Sequence, residues 1–158
     1  MHKTKIDISE DVREQMIEIL NARLADSLDL KSQAKQAHWN VKGMNFIALH
    51  ELFDQVSGEV EGYSDMIAER VTTLGGTAEG TVRVAAQKSD LAQYPLEITE
   101  GADHVEALSN ALAGFAKNTR ASVDDADKAG DMITADLFTE VARGTDKLLW
   151  FVEAHAQS

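Results

Sequence analysis

Residues 35–70 read KQAHWNVKGMNFIALHELFDQVSGEVEGYSDMIAER. From residue 45 to residue 74, Phe46, Leu49, Phe53, Val56, Val60, Tyr63, Ile67, Val71 and Leu74 recur at spacings of three and four. That is the period of one long helix with a narrow apolar stripe. Asn45 stands where a cap is wanted at its start, and Gly75-Gly76 stand where it should end. Because a helix turns by roughly 100° per residue, His50, Asp54, Asp65 and Glu69 fall on a second stripe, roughly 150° around from the first. These four side chains are expected to point away from the subunit's own core.

Asp54 and Asp65 lie about 16 Å apart along such a helix, at roughly 1.5 Å per residue, too far to share a metal ion within one chain. Two antiparallel copies of the helix about a twofold axis would solve this. In the register whose axis falls between residues 59 and 60, His50 and Asp54 of one chain face Glu69 and Asp65 of the other. Gly58 and Gly62 lie near that axis on the same outward face, where missing side chains permit close backbone approach. His38 and His50 are equidistant from Met44, so an antiparallel helical hairpin sets them level. The set of two histidines, two aspartates and one glutamate suits Fe, Zn or Mn rather than soft metals, and without a cation its carboxylates would repel one another. The plainer reading is a solvated acidic face, but two glycines and Ile47 on the stripe are not what a solvated face needs.

The rest of the chain bounds the fold. It has 158 residues, 44% of them apolar, with one proline and no cysteine, which favours a single all-α domain and leaves no disulfide or thiol chemistry. The N-terminus lacks a signal-peptide core and no apolar run approaches membrane-spanning length, so a soluble cytoplasmic protein without membrane association is expected. The net charge of −12 repels nucleic acid and anionic membranes and favours cations. Residues 1–8 form a short arm, and residues 9–158 form the domain. Ser9 can cap a first helix running to about His38, striped by Val12, Met16, Leu20, Leu24 and Leu28; Lys31 and Lys35 on it are expected to be surface charges. A Gly/Thr-rich link leads to a short helix near Val82–Gln87 and a turn at Tyr94-Pro95. A third long helix covers about Ala102–Lys128, with Val105, Leu108, Leu112, Phe115 and Val123 inward. A fourth covers about Asp131–His155, with Ile133, Leu137, Val141, Leu148 and Val152 inward. The expected architecture is a four-helix bundle with a short extra helix in the crossover between helices two and three. His104 and His155 have no acidic partner at ligand spacing and are expected at the surface. Asp124, Asp125, Asp127, Asp131 and Asp136 crowd the last helix junction, either as caps or as a cation-drawing pore.

The set His38-Trp39-Asn40, Gly43, Phe46, Leu49-His50, Phe53-Asp54, Asp65, Ala68-Glu69-Arg70 and Leu74-Gly75-Gly76 resembles the signature of the Dps family, the miniferritins named as DNA-binding proteins from starved cells. The likeness continues through Tyr94-Pro95-Leu96, Asp146-Lys147 and Leu149-Trp150-Phe151, and so covers most of the chain. It implies a ferritin-like fold in a dodecameric homo-oligomeric shell. It further implies a ferroxidase that oxidises Fe(II), preferably with hydrogen peroxide, stores the ferric product and protects against oxidative stress. By the same resemblance His38, His50 and Asp54 from one subunit and Asp65 and Glu69 from its mate hold two Fe per site, with Zn able to take the same ligands. Asp127, Asp131 and Asp136 become candidates for a threefold pore. Trp39 becomes a candidate radical sink, its other reading being a packing anchor. No ExxH pair occurs, unlike ferritins that build the site inside one bundle. Two other functions stand beside this one: a non-enzymatic zinc- or manganese-binding shell, and a DNA-compacting protein. The second fits poorly, because the short arm carries only Lys3 and Lys5 and the C-terminal EAHAQS carries no Lys or Arg; direct DNA binding at neutral pH is not expected.

Overall fold

The structure, a computed structural model, describes residues 1–157. Its elements are α1 (Glu10–Asn40), α2 (Phe46–Thr73), the short α3 (Val82–Lys88), α4 (Gly101–Ala129) and α5 (Met132–Glu153), and no strand occurs among the described residues. Ser9 caps α1 by accepting the amide of Val12. At the other end of the first hairpin Asn45 occupies the cap position of α2 but makes no capping bond with its side chain. The α2 terminus needs Gly75, at φ +91°. There the amide of Gly75 bonds to the Thr72 carbonyl and that of Gly76 to the Val71 carbonyl, closing the orphan carbonyls of the last turn in a Schellman arrangement.

α1 and α2 pack along their length, as do α4 and α5, and the two hairpins meet through α1 against α4 and α2 against α5. The amide of Lys42 bonds to the Thr99 carbonyl, so α4 starts beside the turn from which α2 starts. Both helices therefore run the same way, and the segment carrying α3 is the crossover between them. The core holds Phe53, Phe115 and Phe138 from three different helices, all fully buried with Met16, Leu20, Ile67, Leu108 and Leu148. Truncating any of the three rings to alanine would cost about 3–5 kcal/mol.

Two expected core residues lie outside it. Phe46 is 38% exposed and rests on the His50 ring at 5.0 Å instead. Ile133 is 65% exposed, because the buried stripe of α5 runs through Thr134, Phe138, Val141, Thr145, Leu148 and Val152. The two threonines on it are fully buried, and Thr145 satisfies its hydroxyl on the Val141 carbonyl at 2.8 Å.

Candidate metal centre

The α1–α2 hairpin levels residues rung by rung. Ser27 meets Ser64 in a buried hydroxyl pair at 2.9 Å, Lys31 meets Glu61 at 2.6 Å, and His38 meets His50 with ring centroids 3.7 Å apart and planes 20° apart. The two imidazoles are locked reciprocally. His38 Nδ1 lies 2.7 Å from the His50 carbonyl, and His50 Nδ1 lies 2.8 Å from the His38 carbonyl. A carbonyl only accepts, so each Nδ1 carries the proton, and a neutral ring then presents its Nε2 lone pair. Metal-binding histidines are oriented by the same kind of bond from the non-ligating nitrogen.

Asp54 follows His50 by one helical turn and lies within electrostatic reach of both imidazoles. Its carboxylate meets Lys35 Nζ at 2.5 Å, and this hydrogen bond is the main reason its pKa is lowered. Lys35, expected as a surface charge, is thus half-buried and bonded to a candidate ligand. The available signal was the hairpin itself, since a ladder that levels residue 38 with residue 50 also levels residue 35 with residues 53 and 54.

Asp65 and Glu69 are exposed on the outward face of α2, eleven residues or more beyond Asp54. The subunit brings His38, His50 and Asp54 into one neighbourhood and leaves Asp65 and Glu69 outside it. Among the described residues no group of three or more His, Cys, Asp or Glu side chains is disposed to hold a metal ion. Between the two half-sets, a Cβ added at Gly58 or Gly62 would meet open space, and Ile47 on the same face is 61% exposed.

Other expectations need correction. Asp131 is 1% exposed and caps α5, accepting the Thr134 amide at 3.0 Å and both oxygens engaging Arg70 Nη2 at 2.9 and 3.0 Å. A carboxylate so engaged is no free pore lining; Asp127 and Asp136 are exposed. His104 is not a surface residue but 1% exposed, with Nδ1 2.7 Å from the Tyr94 hydroxyl. Its place four residues before Leu108 set it on the inward stripe of α4, a signal the absence of acidic neighbours obscured. His155 is exposed, as expected. Trp39 is 67% exposed and anchors nothing within the subunit; Lys35 Nζ lies 6.0 Å from its ring.

Fold and site together define a ferritin-like bundle whose candidate ligand residues sit on an outer helix face. Residues 17–158 match the ferritin-like domain. The chain is 46% identical over 156 residues to the DNA protection during starvation protein of Agrobacterium fabrum, covering 99% of this chain and 96% of that one. It is 32% identical to the protein of that name from Mycolicibacterium smegmatis, over 96% of this chain and 82% of that one. The Mycobacterium smegmatis Dps structure in its tetragonal form superposes with a TM-score of 0.94 at 32% identity, covering 99% and 96% of the two chains. Dps from Microbacterium arborescens in the high iron form superposes at 0.87, with 32% identity and 94% and 96% covered. The chain belongs to the Dps family.

Proposed function

We propose that this protein is a miniferritin ferroxidase, in which Fe(II) is the substrate, hydrogen peroxide the preferred oxidant, and the site is completed between twofold-related copies. The observation that carries this reading is the reciprocal locking of His38 and His50, which spends each Nδ1 on the other residue's carbonyl and leaves each Nε2 available as a ligand near Asp54. The missing ligands are on the same outward face. Asp65 and Glu69, at i and i+4 on α2, reach His38 of a second copy when two α2 helices pack antiparallel across Gly58 and Gly62. Copies so paired build toward a closed shell of twelve, in which ferric product is stored. Dps from Microbacterium arborescens is described in a high iron form, which supports the choice of metal. Zinc suits the same donors and would act as an inhibitor there.

The two positions are unequal. His38 with Asp65 and Glu69 of the second copy offers one nitrogen and two carboxylates, whereas the position at His50 and Asp54 must displace Lys35 from Asp54 and tolerate a nearby positive ion. The first iron therefore binds tightly and the second weakly. In turnover, hydrogen peroxide takes one electron from each of two Fe(II) ions and two protons from solvent, its O–O bond breaks, and two waters leave. This two-electron route releases no hydroxyl radical. The carboxylates favour the more highly charged ferric product over the ferrous substrate.

Asp65→Ala and His50→Ala should each slow the initial rate of peroxide-dependent Fe(II) oxidation, followed by ferric absorbance, while the assembly keeps its size. Wild-type rates in both variants sink the assignment. Aerobic Fe(II) titration separates storage from a structural metal: a store keeps many irons per shell in solution, whereas a staple saturates at its dimer sites.

A further inference from the structure

Tyr94 and His104 form a buried polar pair that the iron chemistry above leaves unused. Tyr94 is 7% and His104 1% exposed, their rings stack at 6.0 Å, and the phenol oxygen lies 2.7 Å from Nδ1. The other imidazole nitrogen, Nε2, is buried without a hydrogen-bond partner, and the backbone carbonyls of Ile98 and Asn40 face the ring. The Tyr94 hydroxyl has no other acceptor, so it donates to Nδ1 and the ring proton lies on Nε2. Burial keeps both groups neutral: it raises the phenol pKa far above its ordinary value and lowers that of the imidazole.

The pair stands close behind the metal centre. His104 packs on Phe53 at 6.4 Å, and Phe53 is the residue before Asp54. Asn40, whose carbonyl faces His104, is two residues beyond His38. Tyr94 thus connects to the hairpin end that presents the two imidazoles through His104 and Phe53, with ring-to-ring steps of 6.0 and 6.4 Å.

We propose that Tyr94, hydrogen-bonded to His104, stores one reducing equivalent for the iron centre. The inference rests on the ferroxidase reading and on its unequal positions. When only the tight position is filled, a single Fe(II) gives hydrogen peroxide one electron; the O–O bond breaks into hydroxide and a hydroxyl radical equivalent at the site. Tyr94 supplies the second electron while its phenolic proton moves to His104 Nδ1. The radical equivalent becomes hydroxide, leaving a neutral tyrosyl radical beside an imidazolium. A later Fe(II) returns the electron and His104 returns the proton, so the sum is the same two Fe(II) oxidised per peroxide. The proton acceptor is what makes this pair suitable, because an oxidised phenol is too acidic to keep its proton and needs a base within hydrogen-bond reach, here Nδ1 at 2.7 Å.

The remaining oxidisable rings lack this arrangement. Tyr63 makes no side-chain hydrogen bond among the described residues and is pressed against Gly144. Trp39 is exposed and has the Lys35 ammonium over its ring, which opposes the positive charge of an oxidised indole.

The test loads the assembled protein with one Fe(II) per centre without oxygen, adds one equivalent of hydrogen peroxide, and freezes the sample for electron paramagnetic resonance. The expected result is a tyrosyl signal whose hyperfine structure narrows with ring-deuterated tyrosine and persists in Tyr63→Phe. Tyr94→Phe should lose it and release more spin-trapped hydroxyl radical, and His104→Gln should diminish it. Isotope labelling with Tyr63→Phe assigns the radical even where Tyr94→Phe folds poorly. Loss of the signal in Tyr63→Phe, or its absence from wild-type protein that oxidises two Fe(II) per peroxide normally, overturns the inference and leaves the ferroxidase reading intact. Failure of wild-type protein to oxidise Fe(II) with peroxide at two irons per centre overturns both.

Discussion

Asp26 and Asp131 each lie fully buried beside an arginine, yet their pKa values move in opposite directions. Burial is the largest influence on both and raises both. At Asp26 it prevails over the Asp90 amide, Arg23 and Asn118. At Asp131 the Thr134 hydroxyl and amide together with Arg70 outweigh it, and the pKa falls below its ordinary value. The linkage follows from the signs. Asp131 contributes stability above the unfolded pKa of about 3.9 and loses it as pH drops through its lower folded value. Asp26 binds its proton more readily folded than unfolded, so its contribution grows as pH falls from its raised value toward about 3.9. Asp131→Asn should therefore cost about 3–5 kcal/mol at neutral pH, by stripping the buried Arg70 of its counter-charge, and the penalty should shrink only below about pH 4. Asp26→Asn should cost less at neutral pH, and its penalty should grow on acidification. Denaturant unfolding of both variants at several pH values decides this, and equal costs at neutral pH would show that Arg70 does not depend on Asp131. These residues also mark what one-dimensional reading misses. Asp131 looked like one of a row of acids, and the partner that distinguishes it, Arg70, comes from 61 positions away. Likewise the Tyr94 that buries His104 arrives from an irregular crossover with no periodicity to betray it.

At the scale of elements, α2 carries two programmes on opposite faces. The inward stripe was legible because apolar side chains at helical spacing have little use other than burial, and Leu49, Phe53, Val56, Val60, Ile67, Val71 and Leu74 are all buried. The stripe of α5 was legible at Val141, Leu148 and Val152 and missed at its start, where Thr134 and not Ile133 is buried, because Thr134 and Thr145 spend their hydroxyls on hydrogen bonds and so enter the core as polar residues. The outward face of α2 carries a signal of another kind, the paired spacing of His50, Asp54, Asp65 and Glu69 about Gly58 and Gly62, on which the proposed site rests. These glycines weaken the helix, by about 0.8–1.0 kcal/mol each relative to alanine, and inside the subunit nothing needs their smallness. Replacing both with leucine should thus leave the subunit as stable as before or slightly more so, yet separate the two α2 helices. The expected outcome is full helical content by circular dichroism, a smaller species by size-exclusion chromatography with light scattering, and loss of iron oxidation. A variant that assembles to wild-type size with wild-type rates would remove the glycine-centred contact from the proposal.

For the whole molecule, charge decides whether protection of DNA needs contact with it. Each chain carries a net −12, and assembly multiplies the repulsion a polyanion meets on approach. The N-terminal arm is also not a free cationic tail. The amide of His2 bonds to the Gly75 carbonyl at 2.7 Å, Arg13 bridges the Ile8 and Leu74 carbonyls, and a Cβ at Gly75 would collide with the His2 carbonyl oxygen at 2.5 Å. The arm is therefore docked on the end of α2, and its two lysines, Lys3 and Lys5, are its only side-chain cations of fixed charge. Duplex binding driven by phosphate contacts needs several cations brought together, and six to ten such contacts lose about 10³–10⁵ in affinity between 50 and 200 mM salt. Consumption of Fe(II) and peroxide in solution asks for no contact at all. The metal-free assembly should accordingly give no gel shift with duplex DNA at neutral pH and about 0.15 M salt, while still preventing nicking of plasmid DNA by Fe(II) and hydrogen peroxide. Asp65→Ala, which changes the oxidation site and leaves the arm untouched, should lose that protection in proportion to its lost oxidation rate. A tight shift that weakens with added salt, or protection that survives Asp65→Ala undiminished, would mean that this chain guards DNA by covering it.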